Sequence, residues 1–89
     1  MKVVISDKAK KDIRKLDVKI QKQILTYALS LESLPDPRVK GKPLSSTMAG
    51  LWRYRVGDYR LICEIRDDKL IVTVLRIGHR RNVYKTKNQ

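Results

Sequence analysis

Three arginines hold the polar positions of one short stretch, LWRYRVGDYRLICEI, from Leu51 to Ile65. Arg53, Arg55 and Arg60 stand among Trp52, Tyr54, Val56, Tyr59 and Leu61. A guanidinium is permanently charged and donates to two oxygens at once, so its chemistry is the capture of carboxylates or phosphates and the stabilisation of negative charge. Side chains alternate faces along a strand. Arg53 and Arg55 therefore share one face, and Trp52, Tyr54 and Val56 the other. A two-residue turn at Gly57-Asp58 pairs Val56 with Tyr59, Arg55 with Arg60 and Arg53 with Ile62. All three arginines then lie on one face of a hairpin, two of them directly opposed. Opposed like charges destabilise a sheet by a few tenths to about 1 kcal/mol, and a phosphate between the two forks reverses that sign. Glu64, on the same face, offers a different resolution by pairing with Arg60 or Arg66.

The elements that position this hairpin follow from pattern. Lys2 to Ile5 reads as a strand, and Ser6 as the cap of a helix whose apolar face is Ala9, Ile13 and Leu16. Asp17 is placed to cap a second helix, Val18 to about Glu32, with the stripe Ile20, Ile24, Tyr27, Ala28 and Leu31. The two form a tight helical hairpin. LPDP, Leu34 to Pro37, ends the second helix. From there to about Ala49 no period is evident, although Arg38, Lys40 and Lys42 make the stretch basic. Connections this long are often functional.

Three strands are expected next, Leu51–Val56, Tyr59–Arg66 and Lys69–Ile77, the last two linked by Asp67-Asp68. KLIVTVLRI is nearly continuous in aliphatic residues, the mark of an interior strand. It delivers GHRRNVY, Gly78 to Tyr84, at its end, and Gly78 permits a sharp turn that brings Arg80 or Arg81 towards the arginine face. The order β-α-α-β-β-β predicts an α+β fold, a small, mostly antiparallel sheet with the helical hairpin on one face. Trp52, Tyr54, Tyr59 and Cys63 fall on the helix-facing side and read as core, the aromatics having a second use as stacking platforms.

Composition narrows the class. The chain has 89 residues and 21 Lys plus Arg against 9 Asp plus Glu, a formal charge of +12, which fits one domain, residues 1–89, with a polyanionic partner. One cysteine forms no internal disulfide and suits a reducing compartment. No run nears the roughly 20 apolar residues of a membrane span, and MKVVISDKAKK is too short in apolar residues for a signal peptide. The expectation is a cytoplasmic protein with no membrane partner. No Cys/His cluster has metal spacing, and no glycine-rich phosphate loop is present.

GLWRYRVGDYRLICEI followed by LRIGHRRNVY, with DPR after the second helix and GKPL in the loop, closely resembles the RelE branch of the RelE/ParE superfamily of toxin–antitoxin toxins. The resemblance spans nearly the whole chain. It implies a twisted antiparallel sheet with a packed helical hairpin, and a ribosome-dependent endoribonuclease that cuts mRNA in the A site without metal or cofactor. The 2′-hydroxyl attacks the adjacent phosphate, leaving a 2′,3′-cyclic phosphate and a 5′-hydroxyl. The implied partners are the ribosome, mRNA and a RelB-like antitoxin, with operator DNA met only through the antitoxin complex.

Carried over by position, the basic pair falls on Arg53 and Arg55, the arginine after the turn on Arg60, the basic residue after GH on Arg80 and the tail tyrosine on Tyr84. Arg60 and Arg80 would clamp the scissile phosphate. Tyr84 would stack on a base or move a proton. The best-known RelE pattern has lysines at the Arg53 and Arg55 positions. Arginine does not give up its proton, so these two hold charge, and proton transfer falls to Tyr84, His79, ribosomal groups or water. Lys40, Lys42, Arg81 and Lys85 are candidate RNA-steering residues. Two other readings stay open: a non-catalytic, ParE-like gyrase poison, and a basic RNA-binding module without activity.

Overall fold

The computed structural model describes residues 1–83. Strand β1 (Lys2–Ile5) leads into helix α1 (Asp7–Arg14) and helix α2 (Val18–Ser30). A short edge strand β2 (Lys42–Pro43) precedes β3 (Trp52–Val56), β4 (Tyr59–Arg66) and β5 (Ile71–His79). The five strands form one sheet in the order β1-β5-β4-β3-β2. β1 runs parallel to β5 and every other pairing is antiparallel. This is the expected α+β arrangement, with β5 interior between β1 and β4.

Ser6 caps α1 as its type predicts, its Oγ accepting the Ala9 N–H at 3.1 Å. Its own hydroxyl donates to the Leu75 carbonyl, tying the cap to β5. Asp17 makes no side-chain cap on α2. The joint between the helices is closed instead by Gln21, whose side-chain amide donates to the Leu16 carbonyl at 2.8 Å. Ala9 and Ile13 of α1, with Ile24, Ala28 and Leu31 on and just beyond α2, are buried against Tyr54, Leu61, Cys63, Val72, Val74 and Ile77 of the sheet. Each fully buried Leu or Ile contributes about 1.5–3 kcal/mol, so this single layer is the main source of stability. Burial pushes the Cys63 thiol up to about 12, which leaves it protonated and unreactive.

Two departures from the sequence expectation move the site. The β4–β5 link occupies four residues, Asp67 to Leu70, with Leu70 in the left-handed region at φ 55°. β5 therefore starts two residues late and runs on to His79. The stretch after Pro37 also holds a strand after all, since β2 pairs with β3 at Lys42–Arg53 and Pro43–Trp52. Among the described residues no helix is long and apolar enough to cross a membrane.

Candidate functional site

The hairpin register is the one the two-residue turn dictates. Arg55 pairs with Arg60, Arg53 with Ile62 and Val56 with Tyr59, and Gly57 takes the required positive φ of 59°. The face away from the helices thus carries Arg53, Arg55 and Arg60 together. Edge strand β2 adds Lys42 directly across from Arg53. Two cross-strand pairs of like charge, Lys42–Arg53 and Arg55–Arg60, lie side by side on one surface.

The members of this row differ in burial. Arg60 is only 7% exposed. Its guanidinium donates to the Gly57 carbonyl at 3.2 Å and the Tyr59 carbonyl at 3.1 Å, which fixes it against the hairpin turn. Arg55 is exposed. Arg53 is half-buried, and its Nε is buried with no hydrogen-bond partner. A buried N–H left without an acceptor costs about 1–3 kcal/mol, so the observed seat of this side chain is an unfavourable one. Glu64 is half-buried, and its charge acts on Arg66, helping to hold that guanidinium above its ordinary range.

The chain beyond β5 turns back onto the same face. The N–H groups of Asn82 and Val83 both donate to the His79 carbonyl. Val83 is buried, and a Cβ built on Gly78 would lie 3.1 Å from the Val83 Cβ. Because Gly78 pairs with Arg60, that missing Cβ belongs to the arginine face, and glycine is what lets the turn close there. The Arg80 N–H donates to the Asp58 carbonyl at 2.8 Å. Arg80 and Arg60 are thus both anchored at the Gly57-Asp58 turn. Arg81 is exposed in the same turn.

His79 is not brought to this surface. It pairs with Tyr59, one residue out of phase with Arg60 and Gly78, and so faces the helices. Its ring meets the Tyr59 ring edge-on at 5.7 Å, and its Nδ1 accepts the Arg81 N–H at 3.2 Å. Tyr54 is wholly buried, which removes it as a stacking platform, whereas Trp52 and Tyr59 are half-buried and pack against the core. Tyr84 and Lys85 lie outside the described residues. Lys40 is exposed at the end of a 3-10 turn, Pro37–Lys40, on the approach to β2.

What holds β2 in place was not visible in the sequence. The Tyr54 hydroxyl donates to the Pro37 carbonyl at 2.8 Å, a buried bond across the sheet edge. Gly41 then crosses the Tyr54 ring so closely that a Cβ there would sit 3.0 Å from Cζ. Arg38 lies over the Trp52 ring at 5.8 Å and bridges Asp36 and Asp67. These contacts fix the loop and, with it, Lys42.

A family model described as the ParE toxin of type II toxin–antitoxin system, parDE, matches residues 3–84. The chain is 36% identical to toxin RelG of Mycobacterium tuberculosis over 77 residues, covering 86% of this chain and 87% of that relative. It is 31% identical to toxin RelE of the same organism over 83 residues, covering 93% and 84%. Among solved structures, the toxin–antitoxin complex RelBE2 from Mycobacterium tuberculosis aligns with a TM-score of 0.81 at 33% identity, covering 88% of this chain and 95% of that one.

Proposed function

The chain belongs to the RelE/ParE family of type II toxin–antitoxin toxins, and on that premise we propose that it is a metal-independent endoribonuclease that cuts mRNA in the ribosomal A site. The observation that carries the reading is the arginine face: Arg53, Arg55 and Arg60 on one surface, with Arg80 anchored at the same hairpin turn. Such a surface is unfavourable until it holds an anion, and its groups match phosphate oxygens.

In the reaction the 2′-hydroxyl oxygen attacks the neighbouring phosphorus. The 5′-oxygen leaves and takes up a proton, giving a 2′,3′-cyclic phosphate and a 5′-hydroxyl. Negative charge grows on the non-bridging oxygens as the phosphorus becomes five-coordinate. Arg60, held by two carbonyls before substrate arrives, stabilises that charge without reorganising, and the exposed Arg80 side chain, carried on a turn anchored through its backbone N–H, adds to it. Arg53 and Arg55 neutralise and orient the phosphodiester but transfer no proton. Proton movement therefore falls to Tyr84 or to ribosomal groups and water, and His79, turned to the other side of the sheet, takes no part. The partner is a RelB-like antitoxin chain, by analogy with the RelBE2 toxin–antitoxin complex it resembles.

Brief expression followed by primer-extension mapping of mRNA ends tests this. New ends inside translated codons are expected, and Arg80→Ala is expected to remove them while the protein stays folded. The ParE description of the matching family model favours one competing reading, a gyrase poison. Intact mRNA together with gyrase-trapped, cleaved DNA would establish that reading and overturn the nuclease.

A further inference from the structure

We propose that the arginine face holds two successive phosphates rather than one, with Arg55–Arg60 as the first subsite, Lys42–Arg53 as the second, and Lys42 as the positioning residue of the second. The inference rests on the phosphate-binding reading of this face above, and not on cleavage itself. Directly paired residues of an antiparallel sheet point to the same side, so the Lys42–Arg53 pairing sets the ammonium and guanidinium groups on one patch. Arg53 and Arg55 are two residues apart on β3, a rise of about 6.8 Å. The subsites lie on opposite sides of β3, so the strand spacing of about 4.8 Å adds to that rise and sets their centres about 8 Å apart, which long basic side chains can close to the distance between neighbouring phosphates of an extended nucleic-acid strand. The two like-charge pairs therefore form a ruler whose repeat suits a single strand laid across β2, β3 and β4.

Two further features mark the second subsite as built. The Arg53 Nε is buried and has no acceptor, so this side chain gains a bond by re-aiming, and a phosphate at the subsite supplies the acceptor. The loop that delivers Lys42 is held by the buried Tyr54–Pro37 hydrogen bond and by the close passage of Gly41 over the Tyr54 ring. A lysine serving solubility alone needs no such support. Lys42 is exposed, so its removal leaves packing intact.

The test uses the intact protein and a 2′-O-methyl trinucleoside diphosphate, which lacks the attacking hydroxyl and cannot be cut. A second probe carries a neutral methylphosphonate in place of one of its two phosphodiesters. Dissociation constants come from NMR titration at fixed low salt. Wild type is expected to bind the doubly charged probe about fivefold more tightly than the singly charged one, the value of one exposed ionic contact. Lys42→Gln is expected to abolish most of that preference. Lys10→Gln, which removes the same charge from the outer side of α1, is expected to preserve it. If Lys42→Gln keeps the full preference, or Lys10→Gln loses it equally, the second subsite is refuted while the Arg55–Arg60 reading stands. If wild type shows no preference and binds neither probe, the phosphate-binding reading fails with it.

Discussion

The arginines of this small protein fall into two groups. Arg38, Arg66 and Arg76 each meet aspartate: Arg38 reaches Asp67 at 2.6 Å and Asp36 at 3.3 Å, Arg66 reaches Asp68 at 3.0 Å, and Arg76 reaches Asp12 at 2.9 Å. Those bonds hold all three guanidinium groups above their ordinary range. On the hairpin face, Arg53 and Arg55 meet no carboxylate among the described residues, and Arg60 is seated on main-chain carbonyls. Aspartates are thus matched to the arginines that fasten loops and the N-terminal helix, and among the described residues none of them pairs with Arg53 or Arg55. The difference separates bases that serve stability from bases available to a ligand.

The sharpest way to break this division is Arg60→Lys. A lysine keeps the charge but loses the planar fork. Loss of one preorganised charge-stabilising donor is expected to lower cleavage by about 10²–10³-fold. The lost carbonyl contacts should cost about 1 kcal/mol of stability, measured by chemical denaturation. Retained cleavage would remove Arg60 from the site.

Next comes a pair of variants with opposite signatures. Arg55→Gln is expected to lower cleavage by about tenfold or more, as one charge-assisted contact is lost. Its stability should hold or rise by a few tenths of a kcal/mol, because the repulsion with Arg60 is relieved. Asp12→Ala is expected to do the reverse. The Asp12 carboxylate accepts from Arg76 Nε, Arg76 NH2 and the Ile77 N–H, closing the part of β5 that β1 does not cover. Its removal should cost about 2 kcal/mol and leave cleavage per folded molecule unchanged. If both variants lost stability and activity together, the two groups would not be separate.

Gly78→Ala acts on both sides of the division at once. The added methyl would enter within 3.1 Å of the Val83 Cβ, and overpacking of this kind costs about 1–3 kcal/mol. The turn bearing Arg80 should shift off the hairpin, so cleavage should fall more than the stability loss explains. Thermal melting and primer extension on the same preparation separate the two effects.

The hairpin register was legible because a two-residue Gly-Asp turn permits one pairing, and alternation then fixes every face. The buried stripes of α1 and α2 were legible from helical spacing. β2 was not, because two residues that include Pro43 carry no period, and their place depends on a tyrosine eleven positions further on. The burial of Arg60 was not legible either, since its acceptors are main-chain carbonyls that leave no mark in the residue types. The placement of His79 turned on a register shift opposite Ile62 and Cys63, where β5 carries one extra residue and every side chain beyond it changes face, and no residue type in the strand marks that spot. Local rules therefore described the arginine surface, and long-range contacts decided which residues reach it.

The smallest expected effect is the most discriminating. Arg66 lies at the far end of β4, paired with Asp68 two residues on, and both side chains are largely exposed. Solvent screens such a pair, so Arg66→Gln should shift neither the denaturation midpoint nor the rate of cleavage. It removes one positive charge from the total of +12, as Arg55→Gln does. If cleavage answered to overall basicity alone, the two variants would lose activity equally and the rate would track net charge at every salt concentration. If it answers to placement, Arg55→Gln is impaired and Arg66→Gln is not, and the gap persists as salt is raised. A side-by-side salt titration of the two proteins on translating ribosomes distinguishes these outcomes, because screening weakens steering by distant charge far more than it weakens a contact at the phosphate.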